Sequence, residues 1–135
     1  MLKYLLDTNI VIFTMKNRPE LVKTRFIQHK GRMAISTVTL GELVYGGERS
    51  QYVEQNLNDI EEMIAKLELL PFNDSAAYHF GQIRAVLYRK GRPIGPYDMM
   101  LAAQARAVGL TLVTNNRKEF EQVPGLLIED WSETC

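Results

Sequence analysis

Four stretches of this chain set oxygen-bearing side chains where an apolar run ends or a helical pattern begins. Asp7 directly follows Tyr4-Leu5-Leu6 and precedes Thr8 and Asn9. Glu42 falls in the second turn of a helical pattern that Ser36 or Thr37 caps. Asp98 opens a pattern in which Leu101, Ala102 and Ala105 share its face, so its carboxylate lies on the apolar side of that helix. Thr114, Asn116 and Glu119 follow the apolar run Leu110-Thr111-Leu112-Val113. Thr114 can orient a carboxylate, Asn116 offers a carbonyl, and Glu119 offers a carboxylate directly or through water. Carboxylates gathered without His or Cys suit a hard cation, Mg²⁺ or Mn²⁺. They repel one another without it. A cation held this way can bind a phosphate oxygen, acidify a bound water and stabilise the leaving oxygen, which is the chemistry of phosphodiester hydrolysis.

Each residue also has a plainer reading. Asp7 alone is as good a helix cap as a ligand. Glu42 alone is a solvated helix glutamate, Asp98 an acid favoured by the helix dipole, and Asn116 an Asx turn. His29 and His79 read as packing residues. Basic residues for a polyanion are local: Arg84, Arg89, Lys90 and Arg92 lead into the loop before Asp98, and Arg117 and Lys118 flank Glu119.

The elements that must position these groups alternate between strand and helix. A strand is expected over 3–6, a helix over 8–16, and a second helix after Pro19 with Leu21, Val22 and Phe26 as its stripe. The run 33–36 is strand two. The helix after it carries Leu40, Leu43 and Val44 until Gly46-Gly47 weakens it. Val53, Leu57, Ile60, Ile64 and Leu67 form one helical face. Residues 69–72 read as a link or, given Pro71, an edge strand. Asp74 or Ser75 caps a helix with the stripe Ala76, Phe80, Ile83 and Leu87. A rigid loop over 91–96 leads to a helix over 97–108 that Gly109 ends. A buried strand over 110–114, a loop or single turn over 115–120 and an edge strand over 126–128 complete the chain. This order implies an α/β fold: a three-layer α/β/α sandwich around a mostly parallel sheet of four to five strands.

Composition bounds the rest. The chain has 135 residues, 46% hydrophobic and 24% charged, which suits one domain over 1–135. Sixteen basic residues balance sixteen acidic ones, so any nucleic-acid surface must be local. The only cysteine is Cys135, which excludes a disulfide within one chain and fits a reducing cytoplasm. No apolar stretch is long enough to span a membrane, and no signal peptide is visible.

The segments Leu5-Leu6-Asp7-Thr8-Asn9, Ser36-x5-Glu42, Gly95-Pro96-Tyr97-Asp98-x3-Ala102 and Val113-Thr114-Asn115-Asn116-x2-Glu119-Phe120 resemble, in order, those of PIN-domain ribonucleases. Within these the chain resembles the VapC toxins of bacterial type II toxin–antitoxin pairs. The resemblance implies a Mg²⁺-dependent endoribonuclease whose metal ligands are Asp7, Glu42 and Asp98. Thr8 and Thr114 would orient carboxylates, and Asn116 and Glu119 would complete the catalytic rim. Many relatives carry Asp where this chain has Asn116, which leaves the metal count open. The resemblance also implies a homodimer, with the 53–67 helix and Tyr52 as candidate surfaces. It further implies a VapB-type antitoxin that covers the active-site groove, and a structured RNA substrate, tRNA in particular. Two other readings stay open. One is a non-catalytic RNA-binding module. The other is a phosphatase with Asp7 as nucleophile, weakened because Asn9 stands where such enzymes carry a second Asp.

Overall fold

The computed structural model describes residues 1–133; Cys135 lies outside them. Five strands form one sheet: β1 (Tyr4–Leu6), β2 (Met33–Ser36), β3 (Glu68–Leu70), β4 (Thr111–Val113) and β5 (Ile128–Glu129). Their order is β3-β2-β1-β4-β5 and every pairing is parallel, where a mostly parallel sheet was expected. β1 is central and buried on both faces, as an uninterrupted apolar strand must be. Side chains alternate across it. Tyr4 and Leu6 face one core together with Ile35 and Val113, and Leu5 faces the other with Ala34 and Leu112.

Helices cover both faces, which makes the three layers. The Leu6 side packs against α1 (Thr8–Lys16), α2 (Glu20–Gln28), α3 (Thr37–Glu48) and α4 (Val53–Ile64), through Ile10, Val22, Phe26, Leu43, Ile60 and Met63. The Leu5 side packs against α5 (Asp74–Arg89), α6 (Pro96–Val108) and the single turn α7 (Arg117–Phe120), through Ile83, Leu87, Leu101, Ala102, Ala105 and Phe120. The alanines of α6 let it lie close to the sheet. Gly109, at φ 72, ends α6 in the left-handed conformation that glycine tolerates. No helix among the described residues is long and apolar enough to cross a membrane.

Several local expectations are corrected. α3 runs through Gly46 and Gly47 to Glu48. Gly47 is buried, and a Cβ there would stand 3.0 Å from Leu57 Cδ2. Packing of α3 on α4 thus overrides the low helix propensity of glycine. The buried stripe of α3 is Thr39, Leu43 and Gly47, with Leu40 and Val44 only half-buried. α4 stops at Ile64, and Leu67 packs on the same core from the turn that leads into β3. The cap of α5 is Asn73, one residue before the expected Asp74 or Ser75; its side chain accepts from the Ala76 amide at 3.1 Å. β5 begins two residues later than the expected 126–128 strand, after the turn at Gly125, whose φ is 77.

Candidate active site

The chain leaves β1 for β2 and β3 on one side, then crosses to β4 on the other. The order therefore reverses between β1 and β4, and the crevice beyond their C-terminal ends is where open parallel sheets bind ligands. Asp7 and Thr114 are the first residues past those two ends. Thr114 donates a hydrogen bond to Asp7 Oδ2 at 2.6 Å and accepts one from the Asn116 amide at 3.0 Å. Asp7 is only 5% exposed, yet its side chain makes no capping hydrogen bond to α1. Asp7 stands at the N-cap position of α1, and the amides of Asn9 and Thr8 still favour its charged form, so a capping role and a place at the rim coexist. Burial raises its pKa above the usual carboxylate value. The Thr114 hydroxyl and the amides of Asn9 and Thr8 oppose that rise, and the charge of Glu119 adds to it.

Glu42 reaches the same rim from α3. Thr8, the first residue of α1, donates to its Oε1 at 2.8 Å. The Thr8 hydroxyl also lies 3.1 Å from that of Thr39. Asp98 enters from the first turn of α6 and is half-buried on the face shared with Leu101, Ala102 and Ala105. Its pKa is raised to about 7. Burial is the largest cause, followed by the charges of Asp7, Glu119 and Glu42 and a hydrogen bond shared with Glu119. Four acids from four separate elements thus act on one another, and two of them, Asp7 and Asp98, resist ionisation, first through burial and then through their neighbours' charge.

The acids converge without being closed. No three His, Cys, Asp or Glu side chains among the described residues stand ready-made around a metal position. The donor set nonetheless fits a hard cation in its chemistry. It is all oxygen, partly desolvated, and carries a repulsion that a cation would relieve. Asn116 is half-buried, and its side chain makes no capping hydrogen bond, so the Asx-cap reading does not account for it. Arg117 is half-buried at the start of α7, and Arg92 is exposed in the loop before α6. Arg84, one of the basic candidates, lies 5.3 Å from the ring centre of Tyr88, on its own helix. Both histidines pack. His29 stacks on Trp131 at 5.1 Å, and His79 Nδ1 accepts from Arg106 Nε at 2.8 Å. The residue that sequence reasoning missed is Thr39. Its one signal was a hydroxyl at the first position of the buried α3 stripe.

Beside Glu42 opens a groove of about 820 Å³ bounded by α1 to α4. Ile12, Phe26, Leu43, Ile60 and Met63 give it an apolar floor.

Comparison with known proteins agrees with this architecture. A family model described as PIN domain matches residues 4–126. The chain is 55% identical to the tRNA(fMet)-specific endonuclease VapC of Shigella flexneri, over 98% of this chain and 100% of that one. It is 47% identical to ribonuclease VapC2 of Haemophilus influenzae, over 97% and 99% of the two chains. A chain in the crystal structure of DNA-bound VapBC from Salmonella typhimurium superposes with a TM-score of 0.93 at 54% identity, covering 97% of this chain and 99% of that one. The present chain belongs to the PIN-domain family, among the VapC ribonucleases of VapBC toxin–antitoxin systems.

Proposed function

We propose that this protein is a Mg²⁺-dependent endoribonuclease that cuts structured RNA, tRNA in particular, and so inhibits translation until an antitoxin silences it. The whole chain would act as one PIN-like nuclease domain in the cytoplasm. The observation that carries this reading is the convergence of Asp7, Glu42, Asp98 and Glu119 at the sheet's switch point, where burial first and the charges of the other three acids second raise the pKa of Asp98 to about 7. The choice of tRNA rests on the names of the relatives alone.

Asp7, Glu42 and Asp98 would hold the cation, Mg²⁺ or Mn²⁺. A cation held there would supply positive charge toward a phosphate and lower the pKa of a water. The protein's own groups do the rest. Thr114 fixes the rotamer of Asp7 through its 2.6 Å hydrogen bond, and Thr8 fixes Glu42. Glu119 and Asn116 complete the rim as a proton-accepting carboxylate and a neutral oxygen. Arg92 and Arg117 offer charge to the flanking phosphates.

Solved VapBC complexes of relatives support a VapB-type partner. The apolar groove beside Glu42 has the position and lining to receive a segment of it, close enough to screen the acids. A homodimer belongs to the same reading, with α4 and the exposed Tyr52 as its candidate surface.

The test is cleavage of total RNA with Mg²⁺, repeated with EDTA and with Asp7→Ala. Cleavage that needs Mg²⁺ and Asp7 supports the reading, and equal behaviour of wild type and Asp7→Ala removes it. A non-catalytic RNA-binding module draws on one observation, the absence of a closed ligand triad among the described residues. Retained RNA binding with no cleavage of any RNA class would favour that alternative.

A further inference from the structure

We propose that Thr39 is a positioning residue for Glu42, acting through Thr8; the inference rests on the metal-dependent nuclease reading above. Thr39 is 0% exposed and sits on the stripe of α3 that otherwise holds Leu43 and Gly47. Valine would fill that place with the same shape and no buried hydroxyl. Threonine there needs a partner to offset the lost hydration. Its own helix does not supply one. Thr14 and Thr24 donate to carbonyls one turn back, of Ile10 at 2.9 Å and Glu20 at 3.2 Å. Thr39 is in the first turn of α3, where the residue one turn back, Ile35, belongs to β2. Its Oγ1 lies instead 3.1 Å from Oγ1 of Thr8.

Counting protons fixes the direction of the chain. Each hydroxyl has one proton, and an ionised carboxylate only accepts. Thr8 Oγ1 is 2.8 Å from Glu42 Oε1, so the Thr8 proton is committed to Glu42. The Thr8–Thr39 contact must then use the Thr39 proton. With Glu42 ionised, Thr39 to Thr8 to Glu42 is the assignment that satisfies both contacts. The Thr39 proton occupies a lone pair of Thr8 Oγ1 and lies on the line between the two hydroxyls, so Thr8 does not turn its own proton toward Thr39. Thr8 is thereby held as a donor to Oε1, and successive hydrogen bonds in a buried chain reinforce one another. Glu42 Oε2 has no hydrogen bond among the described residues and is the oxygen left to face a cation. A half-buried glutamate has several rotamers, and this relay selects one of them. The partners that orient a ligand set metal affinity along with the ligand itself.

The experiment measures binding of Mn²⁺ to the full chain without RNA, by calorimetry, with thermal melting as a check on folding. The variants are Thr39→Val, Thr39→Ser, Thr8→Val and the Thr8→Val/Thr39→Val double variant, with Asp7→Asn as control. Thr39→Val is expected to weaken Mn²⁺ binding roughly tenfold, the low end for residues that orient a ligand. Thr39→Ser should recover to within about twofold of wild type, because the hydroxyl is restored. The double variant should bind no more weakly than Thr8→Val, since Thr39 works through Thr8. Wild-type affinity in Thr39→Val overturns the inference. So does a Thr39→Ser protein as weak as Thr39→Val, which would assign the effect to methyl packing. Losses that multiply in the double variant overturn it too. If wild type binds no Mn²⁺ and matches Asp7→Asn, the metal reading of the site falls and takes this inference with it. Wild-type binding with an unaffected Thr39→Val removes the inference alone.

Discussion

Replacing Asp7 by Asn keeps the shape and the Thr114 contact but removes the charge at the centre of the rim. We expect Asp7→Asn to fold as wild type does, to bind Mg²⁺ at least tenfold more weakly and to lose RNA cleavage; calorimetry and a cleavage assay check both. Asp98 sets the pH dependence. Its folded pKa, about 7, lies above the 3.8 of an unperturbed aspartate. The metal-free folded protein therefore binds a proton here that the unfolded chain releases at lower pH. The stability contributed by this group is full below 3.8 and is lost as pH rises through about 7. Metal-free protein should melt at a higher temperature at pH 5.5 than at pH 8 on account of Asp98, and Asp98→Asn should flatten that slope. A cation must displace the same proton. Mg²⁺ affinity should accordingly rise between about pH 6 and 8, with proton uptake by the buffer measurable in calorimetry.

At the scale of elements, the two adjacent glycines of α3 make opposite predictions. Gly46 has open space around its Cβ position, so Gly46→Ala should stabilise by about 0.5–1 kcal/mol through helix propensity. Gly47 faces Leu57 at 3.0 Å, so Gly47→Leu should drive α3 from α4 and cost about 1–3 kcal/mol in urea unfolding. Asn73→Ala should cost about 1 kcal/mol as the loss of a cap, and Ser75→Ala should cost much less. The alternation of strands and helices was legible because β1, β2 and β4 are short apolar runs with polar ends. Asp98 was legible as a rim acid because it shares a helical face with Leu101 and Ala105. The course of α3 was not legible, since a glycine pair reads as a stop until α4 is known to press on it. The shift of β5 to 128–129 was not either, because only pairing with Leu112 and Val113 decides which residues form the strand. Thr39 was missed for the same kind of reason: its partner, Thr8, is on another helix and sequence spacing does not join them.

For the molecule as a whole, a net charge of zero means that RNA must be held by a few local cations. Arg117→Ala and Arg92→Ala are each expected to weaken RNA binding at low salt and to reduce the magnitude of its salt slope by about 1, measured by titration at several ionic strengths. The sheet order has a consequence in time. The strand that carries Asp7 is the first made, yet its neighbour β4, with Thr114, comes 107 residues later in the chain. Contacts so distant in sequence form late, and the N-terminal half is synthesised before its central strand has a partner on both sides. A nascent or prematurely ended chain would hold Asp7, Glu42 and an open edge of β1, but no closed rim. The rim that would make the chain a nuclease thus closes only when its synthesis is nearly complete.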